Sequence, residues 1–245
     1  MVHRRLLVAL VATLASGAAL AGCGDETSTV IPPGPPDEPD VPVGSPTPDQ
    51  LRAATATCGT PVGGPFATDI ELSPTVSMCG LRGAVFWTAD LDVDCDGRES
   101  AICNHMTDDA FQNQTSATDA QDRPLDAVTL PYVVIPLPSQ RFDYPSAGIA
   151  LGTVVAVVYG NRVRYGVFAD EGPEEIIGEA SHAMAVTLGI DPDPNTGGSD
   201  GPVTYIAFTG APGMVTPIGS HTAATERGAR LATQLVAPAA LRATP

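Results

Sequence analysis

TVVAVVYGNRVRYGVFADEGPEEIIGEASHAMAVTLGI, residues 153–190, is the stretch from which the fold is read. Residues 153–159 form a β-branched run, Gly160 and Asn161 fit a two-residue hairpin turn, and residues 162–170 return as a second strand. Strict alternation along the return puts Val163, Tyr165, Val167 and Ala169 on one face, and Arg164, Gly166, Phe168 and Asp170 on the other. After a Gly172-Pro173 turn, Glu174 and Glu175 lead to Ile176 and Ile177. Gly178 then precedes helix formers over 180–188, with Gly189 as the C-cap. Ala180, Met184 and Leu188 share a helical face and are assigned to the core. On this reading Glu179 is a first-turn helix residue.

Further strands are expected near 84–92, 130–136 and 203–209, with two or three helices packed against them and one helix running from beside His221 to about Val236. The fold class is mainly β with a few helices (α+β), a single β-barrel-like domain, partly open or closed. That domain is assigned to residues 51–245. Ahead of it, His3, Arg4 and Arg5 start a positive segment, 6–21 is apolar, and Leu20-Ala21-Gly22-Cys23 matches a bacterial lipobox. Residues 1–22 are therefore expected to be a lipoprotein signal and Cys23 the lipidated residue. The alternative is an ordinary secretory signal cleaved after Ala21. Residues 23–50, dominated by Pro, Gly, Ser, Thr and acids, cannot bury a core and read as an extended stalk. The protein is expected outside the cytoplasmic membrane, touching it only through the anchor, or secreted if the lipobox is not used.

The formal charge is −16, from 12 basic and 28 acidic residues, and there is no lysine. Loss of Arg4 and Arg5 with the signal leaves 10 arginines against the same 28 acids, or −18. A field of that sign repels nucleic acid and anionic polymers and attracts polycations, although solubility alone also accounts for it. Cys58, Cys79, Cys95 and Cys103 form an even set in an exported chain, which suggests two disulfides. Short loops close locally, so Cys58 with Cys79 and Cys95 with Cys103 is the favoured pairing of three. A four-thiolate zinc site is the alternative, but it lacks a C-x-x-C spacing.

Asp170 and Glu179 converge on one loop, and a carboxyl pair is the minimum equipment for breaking a glycosidic bond, one group protonating the leaving oxygen and the other activating water or attacking the sugar. The missing side chain at Gly166 is read either as floor space for a sugar ring, with Phe168 as a stacking wall, or as a bulge marker. A helix N-terminus favours an ionised carboxylate, so an acid role for Glu179 needs burial or nearby negative charge, for which Asp170, Glu171 and Glu175 are candidates. The same argument leaves the reverse assignment of acid and base open.

These residues resemble the chitosanases of glycoside hydrolase family 75. In that family a strand ends in an Asp followed by a Gly-rich turn, and nine residues on comes Gly-Glu-x-Ser; this chain has Asp170, Gly172, Pro173, then Gly178, Glu179, Ala180 and Ser181. The resemblance also takes in the acidic run 90–97, LPYVVIP at 130–136, the hairpin 147–165 and VTYIAF at 203–208. The family usually has Gly before the Asp and Thr after it, where this chain has Ala169 and Glu171. The resemblance implies endo-hydrolysis of β-1,4 bonds between glucosamine units of chitosan with inversion, Glu179 acting as general acid and Asp170 as general base. Asp92, Asp94, Phe168, Glu171 and Glu175 are the candidate substrate-binding residues. No cofactor and no metal is expected.

Other chemistries are weaker. Ser181 and His182 lack a G-x-S-x-G elbow, and His182 after Glu179 is a single copy of a di-metal helix motif. His105, His182 and His221 form no H-x-H or H-E-x-x-H zinc pattern. Counted from Asp92, acids at 92, 94 and 96 with Gly97 copy half a calcium loop, but Cys103 stands where the bidentate Glu belongs. Asn113-Gln114-Thr115 fits a glycosylation sequon, which the bacterial lipobox makes irrelevant. A non-catalytic polysaccharide-binding lipoprotein, or a hydrolase of chitin or peptidoglycan, are the competing readings.

Overall fold

The computed structural model describes residues 41–238. The signal expected over 1–22, Cys23 and the linker up to residue 40 lie outside the described residues. Helix α1, Pro48–Ala54, is set by a capping box: Thr47 Oγ1 accepts from the Gln50 N–H, and Gln50 Oε1 accepts from the Thr47 N–H. It buries Leu51 and takes in the last residues of the stretch expected to be linker.

The strands are β1 (Pro61–Phe66), β2 (Val76–Leu81), β3 (Ala84–Asp94), β4 (Tyr132–Pro136), β5 (Val154–Tyr159), β6 (Arg162–Gly172), β7 (Glu179–Ser181) and β8 (Ser199–Phe208). Helices α2 (His182–Leu188) and α3 (His221–Val236) complete the regular elements, with a 3-10 turn at Ala211–Gly213. The sheet runs β1-β2-β3-β7-β4-β6-β5-β8, and β8 pairs back onto β3. Six strands thus close into a barrel, with β2 and β1 as a flap on the first half of β3. Closure removes the unpaired edges that an open sheet would carry.

The β5–β6 hairpin turns at Gly160 and Asn161, with Tyr159 opposite Arg162 and Gly160 at φ 53°. Two apolar layers follow from the alternation. Inside the barrel, Val85, Trp87 and Leu91 of β3 meet Tyr205 of β8, Val155 and Val157 of β5, Val133 of β4 and Phe168 of β6, with Met184 and Leu188 of α2 as the plug. Trp87 and Tyr205 stack with centroids 5.1 Å apart. Outside, Val154, Val158, Val163, Tyr165 and Val167 pack under α3 and α1. Gly228 of α3 lies so close to Tyr165 that any Cβ there would overlap its ring. Each large side chain buried in these layers contributes roughly 1.5–3 kcal/mol.

The strands expected at 84–92, 130–136, 153–159, 162–169 and 203–209 are present. β1, β2 and β7 are not among the strands expected from the sequence. β1 is interrupted by Gly63, Gly64 and Pro65 and shifts register twice against β2, which erases its alternation. β7 is three residues long and is defined only by its partners. Helix α2 ends as expected, with Gly189 at φ 74°, but it begins at His182, capped by Ser181 Oγ accepting from the Met184 N–H at 3.2 Å. Cys58 is bonded to Cys79 and Cys95 to Cys103.

Candidate active site

Glu179 is a strand residue, which corrects its placement in a first helical turn. Gly178, at φ 130°, turns the chain against β3: its carbonyl accepts from the Asp92 N–H at 2.8 Å, and a Cβ at this position would overlap the Asp90 carboxylate. β7 then runs parallel to β3, with Asp92 beside Glu179, Val93 beside Ala180 and Asp94 beside Ser181. Ala180 points into the barrel. Asp92, Asp94 and Glu179 therefore share the outer face.

Asp170 also lies on the outer face, for a reason that alternation along its own strand hides. Val133 pairs with Phe168, yet the next β4 residue, Val134, pairs with Asp170, so Ala169 is an extra residue and β6 bulges there. Phe168 and Val133 belong to the interior, whereas Val134 and Ala169 belong to the outer layer. The bulge moves Asp170 away from the face of Gly166 and Phe168, where strict alternation puts it. Those two residues are not a sugar platform. A Cβ on Gly166 would lie 2.5 Å from the Pro131 carbonyl and 2.7 Å from Met184 Cε, and Phe168 is 0% exposed with Tyr144 edge-on against it.

Gly172, two residues after Asp170, ties the two carboxyl groups to one patch. A Cβ there would lie 2.9 Å from Glu179 Oε2 and 3.0 Å from Val134 Cγ1, and Val134 is the register partner of Asp170. Asp170 and Glu179 thus flank Val134 and Gly172 on the outer face of the β7-β4-β6 segment. Asp96 and Asp108, from the irregular segment after β3, add charge to the same place. The Tyr132 hydroxyl beneath it donates to the Asp96 carbonyl at 2.8 Å.

The electrostatics follow from crowding acids at a partly dry wall. Burial, then the charges of Asp92, Asp96, Asp170 and Asp108, push the Glu179 carboxyl up to about 7. The acids responsible are thus largely other than Glu171 and Glu175, the candidates beside it in sequence. Burial, with Glu179, Asp96 and Asp170 nearby, holds Asp94 well above the usual carboxylate range. Burial also raises Asp96 to about 7, against the Gln112 N–H that its carboxylate accepts at 2.6 Å. Asp170 is 7% exposed and is raised by burial, but Oδ1 accepts from the Ser116 N–H at 2.8 Å, the Ser116 hydroxyl at 2.9 Å and the Glu171 N–H at 2.9 Å, all of which favour the ionised form.

The remaining candidates divide. Asp92 is exposed and Asp94 half-buried along β3, so the first half of the calcium-loop pattern is extended strand and does not curl around an ion. Glu171 turns to the side opposite Asp170, where the Tyr144 hydroxyl donates to its Oε1 at 2.6 Å. Glu175 is exposed in the turn before β7. Asp108, Ser116 and Gly172 escaped the sequence reading. The first two come from a segment without regular elements, where no periodicity points to a face, and the importance of Gly172 is visible only from its neighbour across the sheet.

The result is an acidic wall in which Glu179, like Asp94 and Asp96, holds its proton further toward neutrality than a free carboxyl does, while Asp170 is held by three donors. Such a pair can give a proton to one atom and take one from another.

A model of the family described as fungal chitosanase of glycosyl hydrolase group 75 matches residues 91–234, a span that holds Asp92, Asp94, Asp96, Asp108, Ser116, Asp170 and Glu179. Endo-chitosanase C of Aspergillus oryzae is 37% identical over 135 residues, covering 53% of this chain and 33% of the relative. Endo-chitosanase B of the same organism is 32% identical over 149 residues, covering 54% and 62%. An endo-chitosanase of Aspergillus fumigatus is 29% identical over 155 residues, covering 58% and 65%. The chain thus spans from a third to just under two thirds of the length of these curated relatives.

Proposed function

Because the chain belongs to the fungal chitosanase family of glycosyl hydrolase group 75, we propose that it hydrolyses internal β-1,4 bonds between glucosamine units of chitosan, with Glu179 as general acid and Asp170 as general base. The observation that carries the assignment is the division of labour on one sheet face: Glu179 is pushed up to about 7, while three hydrogen bonds to Asp170 favour its ionised form. As a strand residue two positions before the Ser181 cap, Glu179 also lies outside the first helical turn, where the field that argues against an acid role is strongest.

In the proposed step the Glu179 proton goes to the leaving glycosidic oxygen as that bond to the anomeric carbon breaks. Asp170 takes a proton from a water that bonds to the same carbon from the opposite side, which inverts the configuration. Inversion calls for carboxyls roughly 6.5–9.5 Å apart, with space for the water. Asp92, Asp94 and Asp96 offer negative charge to the ammonium groups of a glucosamine chain, and a bound cation draws such raised carboxyls back toward ionisation. Two disulfides fit an oxidising compartment, and export with an anchor at Cys23 belongs to the same proposal.

The test is reducing-end release from chitosans of graded acetylation by the parent protein, Glu179→Gln and Asp170→Asn. Turnover is expected to fall with acetylation, each variant to lose at least about 10² in kcat while staying folded and binding polymer, and the α-anomer to appear first by proton NMR. Full activity in either variant removes the pair from the mechanism. Preference for acetylated polymer reassigns the substrate to the chitin or peptidoglycan class, and binding without reducing ends makes the protein a polysaccharide-binding module.

A further inference from the structure

Asp170 takes all its hydrogen bonds on one oxygen. Oδ1 accepts from the Ser116 N–H, the Ser116 hydroxyl and the Glu171 N–H, and Oδ2 is left without a donor among the described residues. The Ser116 hydroxyl is itself oriented. The Glu171 N–H is shared between Asp170 Oδ1 at 2.9 Å and Ser116 Oγ at 3.2 Å, which leaves the single hydroxyl proton to point at Asp170.

The segment carrying Ser116 is fastened to the bulge that turns Asp170 outward. The Ala117 N–H donates to the carbonyl of Ala169, the extra residue, at 2.9 Å. On the other side, the Thr115 hydroxyl donates to the Ala117 carbonyl at 2.6 Å and accepts from the Leu125 N–H at 3.0 Å. Thr115 and Ala117 are buried, while Ser116 stays exposed. A buried, well-anchored pair thus presents one hydroxyl and one N–H to one carboxylate oxygen.

We propose that Ser116 is the positioning residue of Asp170, fixing Oδ1 so that Oδ2 receives the proton of the attacking water. This rests on the reading of Asp170 as the base. In the step, the water O–H bond breaks toward Oδ2 while its oxygen bonds to the anomeric carbon, and the glycosidic oxygen leaves with the Glu179 proton. Ser116 forms and breaks no covalent bond. Its hydroxyl also offsets part of the burial that raises Asp170, which keeps the base ionised further toward acid pH.

The experiment compares Ser116→Ala, Ser116→Thr and Asp170→Asn on soluble chitosan across pH. Ser116→Ala is expected to lower kcat about tenfold, the scale of one charge-assisted hydrogen bond, with KM unchanged, the fold retained and the acid limb of the kcat profile moved to higher pH. Ser116→Thr keeps the hydroxyl at an exposed position and is expected to restore both kcat and the limb. An unaltered kcat and acid limb in Ser116→Ala, beside an inactive Asp170→Asn, overturns the role of Ser116 and leaves the base in place. Equal losses in the Ala and Thr variants, or a raised KM with kcat intact, overturn it as well, the second making Ser116 a substrate contact. Full activity in Asp170→Asn removes the base, and the positioning role with it.

Discussion

A glycine leaves room for the Glu179 carboxyl, the proposed proton donor. Gly172 has no side chain where a Cβ would come 2.9 Å from Glu179 Oε2 and 3.0 Å from Val134 Cγ1. Its φ lies outside the left-handed region, so alanine suits the backbone. The nearest atom is the tip of a flexible side chain, and the fold can absorb the methyl by letting that tip move. Gly172→Ala is therefore expected to keep its thermal midpoint within a few degrees yet lose about 10–100-fold in kcat, because displacing a reacting group by about 1 Å costs on that order. Melting and steady-state kinetics on chitosan check it. Unchanged kcat would mean that Glu179 does not work from this position. Gly172 reads in sequence as an ordinary turn residue beside Pro173, and only the chain folding back across it reveals the second role.

At the scale of elements, β6 does two jobs with one bulge. Up to Phe168 it alternates between the barrel interior and the layer under α3, and past Ala169 it presents Asp170 outward and Glu171 toward Tyr144. The interior side is full at Gly166, where a Cβ would meet the backbone carbonyl of Pro131 at 2.5 Å and Met184 Cε at 2.7 Å. The methionine end can yield, but the carbonyl is part of the chain leading into β4. Gly166→Ala is expected to destabilise by about 1–3 kcal/mol, read as a lower urea midpoint at unchanged slope. Its kcat per folded molecule is expected to hold, because Gly166 and Asp170 face opposite sides. A variant as stable as the parent would mean that the barrel interior has room there.

For the whole molecule, the collected acids set the sign of the pH dependence of stability. Asp90 is raised from 3.8 to about 8, chiefly by burial and by Asp92, Asp96 from 3.8 to about 7, and Glu179 from 4.5 to about 7. A carboxyl raised on folding binds its proton more tightly in the native state. Its contribution is full below the unfolded value and is lost as pH rises to the folded one. Asp119 works the other way: Arg123 holds it down at about 2, so its share is present above 3.8 and disappears only as pH falls toward 2. Thermal stability is expected to be highest near pH 4–5 and to decline through pH 8, with Glu179→Gln flattening part of the decline. Calorimetry across that range decides it. A midpoint that rises from pH 5 to pH 8 would mean that the acids are solvated and far apart.

Features set by short-range forces are readable along the chain. Gly160 and Asn161 after a β-branched run make the hairpin, Gly189 in the left-handed region ends α2, and the excess of acids over arginines sets the field. That Asp170 and Glu179 lie close to one another is also legible, because their spacing matches a family signature. Tertiary structure alone decided how the pair is arranged. The face of Asp170 depends on the register of β4, since a bulge exists only relative to a partner strand. Glu179 is in a strand because β3 lies alongside it, although the residues just after it favour a helix. Asp108 and Ser116 reach the wall from a segment with no periodicity to read. Backbone propensity and side-chain alternation act over a few residues, whereas register, closure and crowding of like charges depend on residues far apart in the chain.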